Sequence, residues 1–237
     1  MNIISLIFNT VLYQPMLNIL VLVYVYTHNF GIAVIVLTLL IKLLTNPLND
    51  KALKSQKAMA EIQPMMQEIQ KKYKDNQQKQ AEAMMNLYKE KKFNPFSGIF
   101  LLFIQIPILW ALFYVFKGGI AIDPVHMYSF VSFPQTINPY FLGIDLSAPN
   151  LILAVITAVA QFFQAKTATP VTPKSSGGKD KASQVSEMVT KQMVFFIPLI
   201  TLLVLYRLPA ALGLYWLITT VFTIFQQRSI FNKKEHD

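Results

Sequence analysis

Residues 31–48 read GIAVIVLTLLIKLLTNPL, an apolar run that, with its approach from residue 29, reaches the roughly 20 residues needed to cross a bilayer as a helix. One lysine, Lys42, sits inside it. A cation near the centre of a spanning helix costs roughly 2.5–3.5 kcal/mol on insertion scales, so it faces water, a partner or a bundle interior and marks a candidate functional site. Snorkelling toward the polar end at Thr45 and Asn46 is the competing reading.

The rest of the chain fixes the setting of that charge. Of 237 residues, 54% are hydrophobic and only 14% charged, the composition of a polytopic membrane protein. The lack of cysteine excludes disulfides and thiolate metal sites, and three scattered histidines do not suggest a metal centre, so neither metal nor cofactor is expected. A net charge of +9 fits either nucleic-acid binding or membrane topology, and its distribution favours topology. Met1 to Ile41 contains no Lys or Arg, hence no basic n-region of a secretory signal.

Residues 1–28, interrupted by Asn9, Gln14, Pro15 and Asn18 and dotted with tyrosines, predict an extracytoplasmic interfacial helix entered at Pro15. A span from Met16 to Tyr26 is the alternative and is short for a bilayer. Transmembrane helix 1 occupies 29–48. Residues 49–94, with ten lysines against six acids, predict a cytoplasmic antiparallel helical hairpin turning at Lys74, Asp75 and Asn76. Met59, Met65, Met66, Met84 and Met85 supply either an adaptable contact surface or, as their main role, filling for the seam between its two helices. The hairpin lysines suit RNA or anionic headgroups as readily as a solvated face.

Transmembrane helix 2 covers 95–117, with a kink expected at Pro107. An extracytoplasmic loop, 118–146, leads into helix 3, 147–166, for which Ser147 is the expected N-cap. A cytoplasmic loop, 167–187, helix 4, 188–206, helix 5, 207–227, and a cytoplasmic tail, 228–237, complete the chain. Helices 3 and 4 are short, which hints at a thinned bilayer. The hairpin, the second inside loop with its flanking Lys166 and Lys191, and the tail hold eighteen Lys or Arg, and the outer ends of the spans only Lys117 and Arg207, predicting a multi-pass protein of the bacterial cytoplasmic membrane with its N-terminus outside and C-terminus inside.

Three spans carry polar residues at helical spacing: Thr38, Lys42, Thr45 or Asn46, and Asn49 in helix 1, Thr157, Gln161 and Gln164 in helix 3, and Trp216, Thr220, Thr223 and Gln227 in helix 5. Polar stripes in lipid must meet one another or water, which predicts a hydrophilic groove shared by these helices. For each residue alone, interhelical hydrogen bonding that merely holds a bundle together is the simpler reading. Against it stands Lys42, because no Asp or Glu falls within a proposed span to neutralise it.

Several motifs in order, YQPMLNIL, IQPMMQEIQKKY, NPFSGIFLLFIQIPILWALF, DLSAPNLIL and YRLPAALGLYWLITTVFTIFQQ, resemble the YidC membrane-protein insertases and their mitochondrial and chloroplast relatives. The family's groove charge, usually arginine, lies five residues before a Pro-Leu pair, and here that position is Lys42, before Pro47 and Leu48. Lysine keeps the charge and loses the planar fork. The resemblance implies that Gln164 and Trp216 line the same groove. It implies an insertase without covalent catalysis, acting on nascent membrane proteins in the lipid bilayer, with the ribosome and the Sec translocon as further partners and no specific DNA binding. The brief tail RSIFNKKEHD argues against strong ribosome tethering. A small-solute transporter and a purely structural assembly factor remain the rival classes. The first lacks internal repeats and intramembrane acids.

Overall fold

The computed structural model describes residues 3–91, 93–94, 97–118, 124–132, 134, 136–168 and 194–232. It is built almost wholly of helices. Helix α1 (Ile3–Phe8) runs through a π-helical turn (Asn9–Tyr13) into α2 (Gln14–Thr27), followed by α3 (Phe30–Lys72), α4 (Gln77–Glu90) and α5 (Ser97–Gly118). A 3₁₀ turn (Pro124–His126) and a two-stranded antiparallel ribbon, β1 (Tyr140–Phe141) with β2 (Ile144–Asp145), precede α6 (Leu151–Ala168). Helices α7 (Val194–Leu205) and α8 (Ala210–Asn232) close the described chain. Among the described residues, Ser5–Thr27, Phe30–Lys72 and Ala210–Phe231 are long and apolar enough to cross a membrane, and Phe103–Lys117, Leu151–Thr167 and Val194–Leu205 are shorter apolar helices.

The N-terminal helix is longer than its sequence suggests. It starts at Ile3 rather than at Pro15, because the wider π turn just before Pro15 accommodates a residue that cannot donate to the preceding turn. The inner face of α2, Met16, Leu17, Leu20, Val21 and Tyr24, is buried in the main core with α3 and α5. Asn18 lies in the same face, 2% exposed. Its amide donates to the carbonyls of Gln14 (2.8 Å) and His126 (2.9 Å), and its Oδ1 accepts from the Tyr128 N–H at 2.7 Å. Tyr24 Oη accepts from the Asn138 N–H at 2.8 Å. Both ends of α2 are therefore tied to the segment that follows α5.

Helix α3 begins at an N-cap, Asn29, whose Oδ1 accepts from the Ile32 N–H at 3.0 Å. It then runs for 43 residues with Pro47 and Pro64 inside it, about 65 Å at 1.5 Å per residue, twice the thickness of a hydrocarbon core. The boundary expected at residues 48 and 49 is thus no break in the backbone. The change of composition there registers a change of surroundings along one helix. At the top of α3 the ribbon packs closely enough that a Cβ on Gly31 would lie 2.1 Å from Phe141 Cγ.

Residues 73–76 turn the chain from α3 into α4, whose N-cap Asn76 accepts from the Lys79 N–H at 3.0 Å. Ile62 and Leu87 are the buried centre of this hairpin. Met66 and Met84 are half-buried, with Tyr88 Oη 4.0 Å from Met66 Sδ, whereas Met59, Met65 and Met85 are exposed. Seam-filling therefore describes only two of the five methionines.

Helix α6 starts four residues later than expected. Ser147 does not cap it: its N–H and hydroxyl both bond Asp145 Oδ1, and the cap is Asn150, which accepts from the Leu153 N–H at 2.9 Å. The first N–H groups of α8, from Ala210 and Ala211, donate at 2.9 Å to the carbonyls of Ala148 and Leu146, so the orphan donors of that helix end are satisfied by the approach to α6. Helix α8 lies between α3 and α6 and packs on both, while α3 also packs on α2 and α5. Most of loop 167–187 and the start of the expected helix 4 lie outside the described residues.

Candidate functional site

The polar residues of the spans converge on α8. Lys42 is 7% exposed, and its Nζ donates to Thr223 Oγ1 at 3.1 Å and stands 5.9 Å from the centre of the Phe222 ring. Among the described residues no carboxylate pairs with it. The side chain thus crosses from α3 to α8 and does not reach out to a helix end. One hydrogen bond leaves two of the ammonium's three donors without an acceptor among the described residues.

The neighbouring threonines are satisfied within their own helices. Thr38 Oγ1 donates to the Val34 carbonyl (2.6 Å), Thr220 to that of Trp216 (2.8 Å) and Thr223 to that of Thr219 (2.8 Å). A hydroxyl used this way keeps its lone pairs as acceptors, which is how Thr223 serves Lys42. Gln161 is 8% exposed and its Oε1 has no hydrogen-bond partner. Gln164 and Trp216 are half-buried. The geometry brings Lys42 and Thr223 into direct contact. Of the others, Thr38 lies on α3 with Lys42, Trp216 and Thr220 on α8 with Thr223, and Gln161 and Gln164 on α6, with α8 between α6 and α3.

One to two turns past Lys42 along α3 lies a second polar set, in which Asp50 and Gln226, absent from the stripes, join the stripe residues Asn46 and Asn49. Gln226 Nε2 donates to Asn46 Oδ1 and, at 3.2 Å, to Asp50 Oδ1, and its own Oε1 is buried and unpartnered. Asn49 Nδ2 donates to Thr45 Oγ1 at 3.1 Å. On the other side of α8, Thr167 Oγ1 donates to Gln227 Oε1 at 2.9 Å, and higher up Thr157 Oγ1 reaches the carbonyls of Leu153 (2.8 Å) and Gly213 (3.3 Å). Gln105 of α5 donates to Tyr215 Oη at 2.7 Å. Gln227 and Thr157 therefore act as the interhelical ties that bundle-holding predicts. Gln226 was legible only as the neighbour of Gln227. Its partners Asn46 and Asp50 stand 176–180 residues away in sequence.

Apolar helices joined by buried side-chain hydrogen bonds, with a lone buried ammonium between two of them, define an all-α membrane protein. The model of the 60Kd inner membrane protein family matches residues 22–237, and the chain belongs to that family. Among its relatives is the membrane protein insertase YidC of Prosthecochloris aestuarii, 36% identical over 201 residues, which cover 83% of this chain and 32% of that protein. The membrane protein insertase YidC of Oceanobacillus iheyensis is 32% identical, with 83% of this chain and 72% of the relative covered. A crystal structure of an active YidC insertase with its first transmembrane domain resolved superposes with a TM-score of 0.59 at 28% identity, covering 85% of this chain and 42% of that one. The chain spans about a third of the length of the first of these relatives.

Proposed function

We propose that this chain is a membrane-protein insertase, which lowers the barrier for carrying a short hydrophilic segment of a newly made membrane protein through lipid and makes or breaks no covalent bond. The observation that carries this reading is Lys42, a buried cation with one hydroxyl partner and, among the described residues, no counter-anion. An acidic residue on an incoming segment supplies what it lacks. Thr38, Thr220, Thr223, Gln161, Gln164 and Trp216 then replace part of the segment's hydration, and the substrate's apolar helix leaves sideways into lipid. The relatives named above as insertases support the assignment.

In this reading the hairpin is cytoplasmic, and the exposed Met59, Met65 and Met85 give varied apolar segments an adaptable first contact, with Met66 and Met84 supporting them from the seam. The N-terminus is outside and the C-terminus inside the bacterial cytoplasmic membrane, in line with the distribution of Lys and Arg. Residues 3–27 lie along the outer face, a placement supported by the attachment of Asn18 and Tyr24 to residues 126–138. Ribosomes and the Sec translocon are partners of delivery rather than of the groove itself.

The test is insertion of a single-span substrate into proteoliposomes. Lys42→Ala lowers insertion of a substrate with an acidic translocated tail about tenfold or more, the equivalent of losing one charge-assisted hydrogen bond. A tail with Asn and Gln in place of its acids is affected little, and Lys42→Arg remains active. Equal insertion of the acidic tail by Lys42→Ala would sink the charge-attraction role.

A further inference from the structure

We propose that the cleft walled by Phe8, Asn9, Tyr13, Trp110, Tyr114 and His126 binds the primary ammonium headgroup of a membrane phospholipid. This cleft, about 370 Å³, lies where the π-helical turn and the 3₁₀ turn meet α5. Its size is that of a small-ligand site. A π turn inside an α-helix is itself a feature that recurs at functional sites.

The walls define the ligand. The rings stand at steep angles: Phe8 to Tyr114 at 77° with centroids 6.4 Å apart, Tyr13 to His126 at 90° and 5.4 Å, Trp110 to Tyr114 at 56° and 6.2 Å. The rings meet edge-on or tilted instead of stacked, and a cleft lined by aromatic rings attracts a cation. Among the described lining residues there is neither a carboxylate nor a Lys or Arg, so an anion finds no full counter-charge on them. His126 Nδ1 is buried without a hydrogen-bond partner. As a neutral imidazole nitrogen it accepts an N–H, and the Asn9 amide oxygen on the same wall is a second acceptor. The need for N–H donors selects a primary ammonium over a trimethylammonium. Phosphatidylethanolamine carries such a group.

The surroundings select a lipid over a soluble amine. Phe103, Ile106, Trp110 and Tyr114 are all exposed and follow one another at helical spacing on α5, so an apolar strip runs from the cleft along that helix, where acyl chains would lie. A free amine has no use for it.

Trp110 reports on the site directly. The chain has two tryptophans, and in the full chain carrying Trp216→Phe, excited at the red edge where tyrosine does not absorb, the emission is that of Trp110. Reconstituted into phosphatidylglycerol vesicles, this variant is titrated with brominated-acyl phosphatidylethanolamine, phosphatidylcholine or phosphatidylglycerol. Half-maximal quenching is expected at a roughly fivefold lower mole fraction of the ethanolamine lipid than of either other lipid, the scale of one net hydrogen bond. His126→Phe, which keeps a ring and removes the acceptor, abolishes the preference over phosphatidylcholine, and Asn9→Ala weakens it. Circular dichroism confirms that both variants keep their helices. Equal quenching by the three lipids overturns the site, leaving ordinary annular contact. Stronger quenching by phosphatidylcholine overturns the primary-amine assignment, and full displacement by millimolar O-phosphoethanolamine overturns the lipid in favour of a soluble ligand.

Discussion

Replacing Lys42 by Met separates what this residue does for the fold from what it does for a substrate. An ammonium at mid-span costs roughly 2.5–3.5 kcal/mol on insertion scales. Two contacts offset part of that. Hydrogen bonds between membrane helices average about 0.6 kcal/mol in double-mutant cycles, and the bond to Thr223 at 3.1 Å is of that kind. The Phe222 ring, 5.9 Å away, is at the outer limit of a cation–ring contact and adds about 0.5 kcal/mol. Thr223 is not orphaned by the change, because its hydroxyl keeps the Thr219 carbonyl. Lys42→Met, nearly the same length and apolar, should therefore stabilise the protein by about 1.5–2.5 kcal/mol. Reversible unfolding in mixed micelles measures this, and the same preparation, reconstituted, should show the loss of acidic-tail insertion expected of Lys42→Ala. Stability gained and activity lost together mark a residue kept for function. A Lys42→Met protein less stable than the parent by 1 kcal/mol or more would refute the reasoning, since Lys42 would then be a structural tie like Gln227.

Two further predictions concern the framework. Gly31→Ala should destabilise by about 1–3 kcal/mol, the usual penalty for overpacking, because the new Cβ would fall 2.1–2.6 Å from three atoms of Phe141. In a Phe141→Gly background, which removes the Phe141 Cβ at 2.6 Å as well as the ring, the penalty should vanish, and additive effects in that double-mutant cycle would exclude the contact. Asn18→Ala should cost about 2–4 kcal/mol by stranding the His126 carbonyl and the Tyr128 N–H. Limited proteolysis should show residues 124–138 cleaved at least tenfold faster, and a parental cleavage rate would contradict the role of Asn18 as a clamp.

The sequence makes legible whatever depends on local pattern. Lys42 stands out because a charge in an apolar run is visible one residue at a time, and the polar stripes on α3, α6 and α8 follow from helical spacing. Element ends are less legible where backbone and surroundings change at different residues: α3 passes from apolar to lysine-rich without stopping, so Pro47 and Leu48 mark a change of medium inside one helix. The cap of α6 was missed because Ser147 and Asn150 are both good capping residues, and Asp145 claims Ser147 first. Partners distant in sequence are not legible at all. Nothing near Asn18 announces Tyr128, nothing near Gln226 announces Asn46, and the placing of α8 between α3 and α6 is a property of packing that three separate stripes leave open.

The way those stripes satisfy themselves bears on how a polar site persists in an apolar medium. A groove built of asparagines and charges would have to be flooded or collapse, because each group needs an outside partner. Here threonines carry most of the stripe near Lys42, and Thr38, Thr45, Thr220 and Thr223 each donate to a carbonyl three or four residues back. Their donors are met with no substrate present, while their lone pairs stay open to an incoming N–H or to Lys42. Among the described residues of α3, α6 and α8, the unmet needs are those of a few atoms, the spare donors of Lys42, the Thr219 hydroxyl and the buried oxygens Gln161 Oε1 and Gln226 Oε1. The donors suit a carboxylate, and the oxygens suit the N–H groups of an extended backbone. A polypeptide segment with an acidic side chain offers both at once. An inorganic anion would meet the lysine and leave the two amide oxygens wanting, and a second apolar helix would meet neither, so the residual polarity of the site favours an insertase over a transporter or a packing partner.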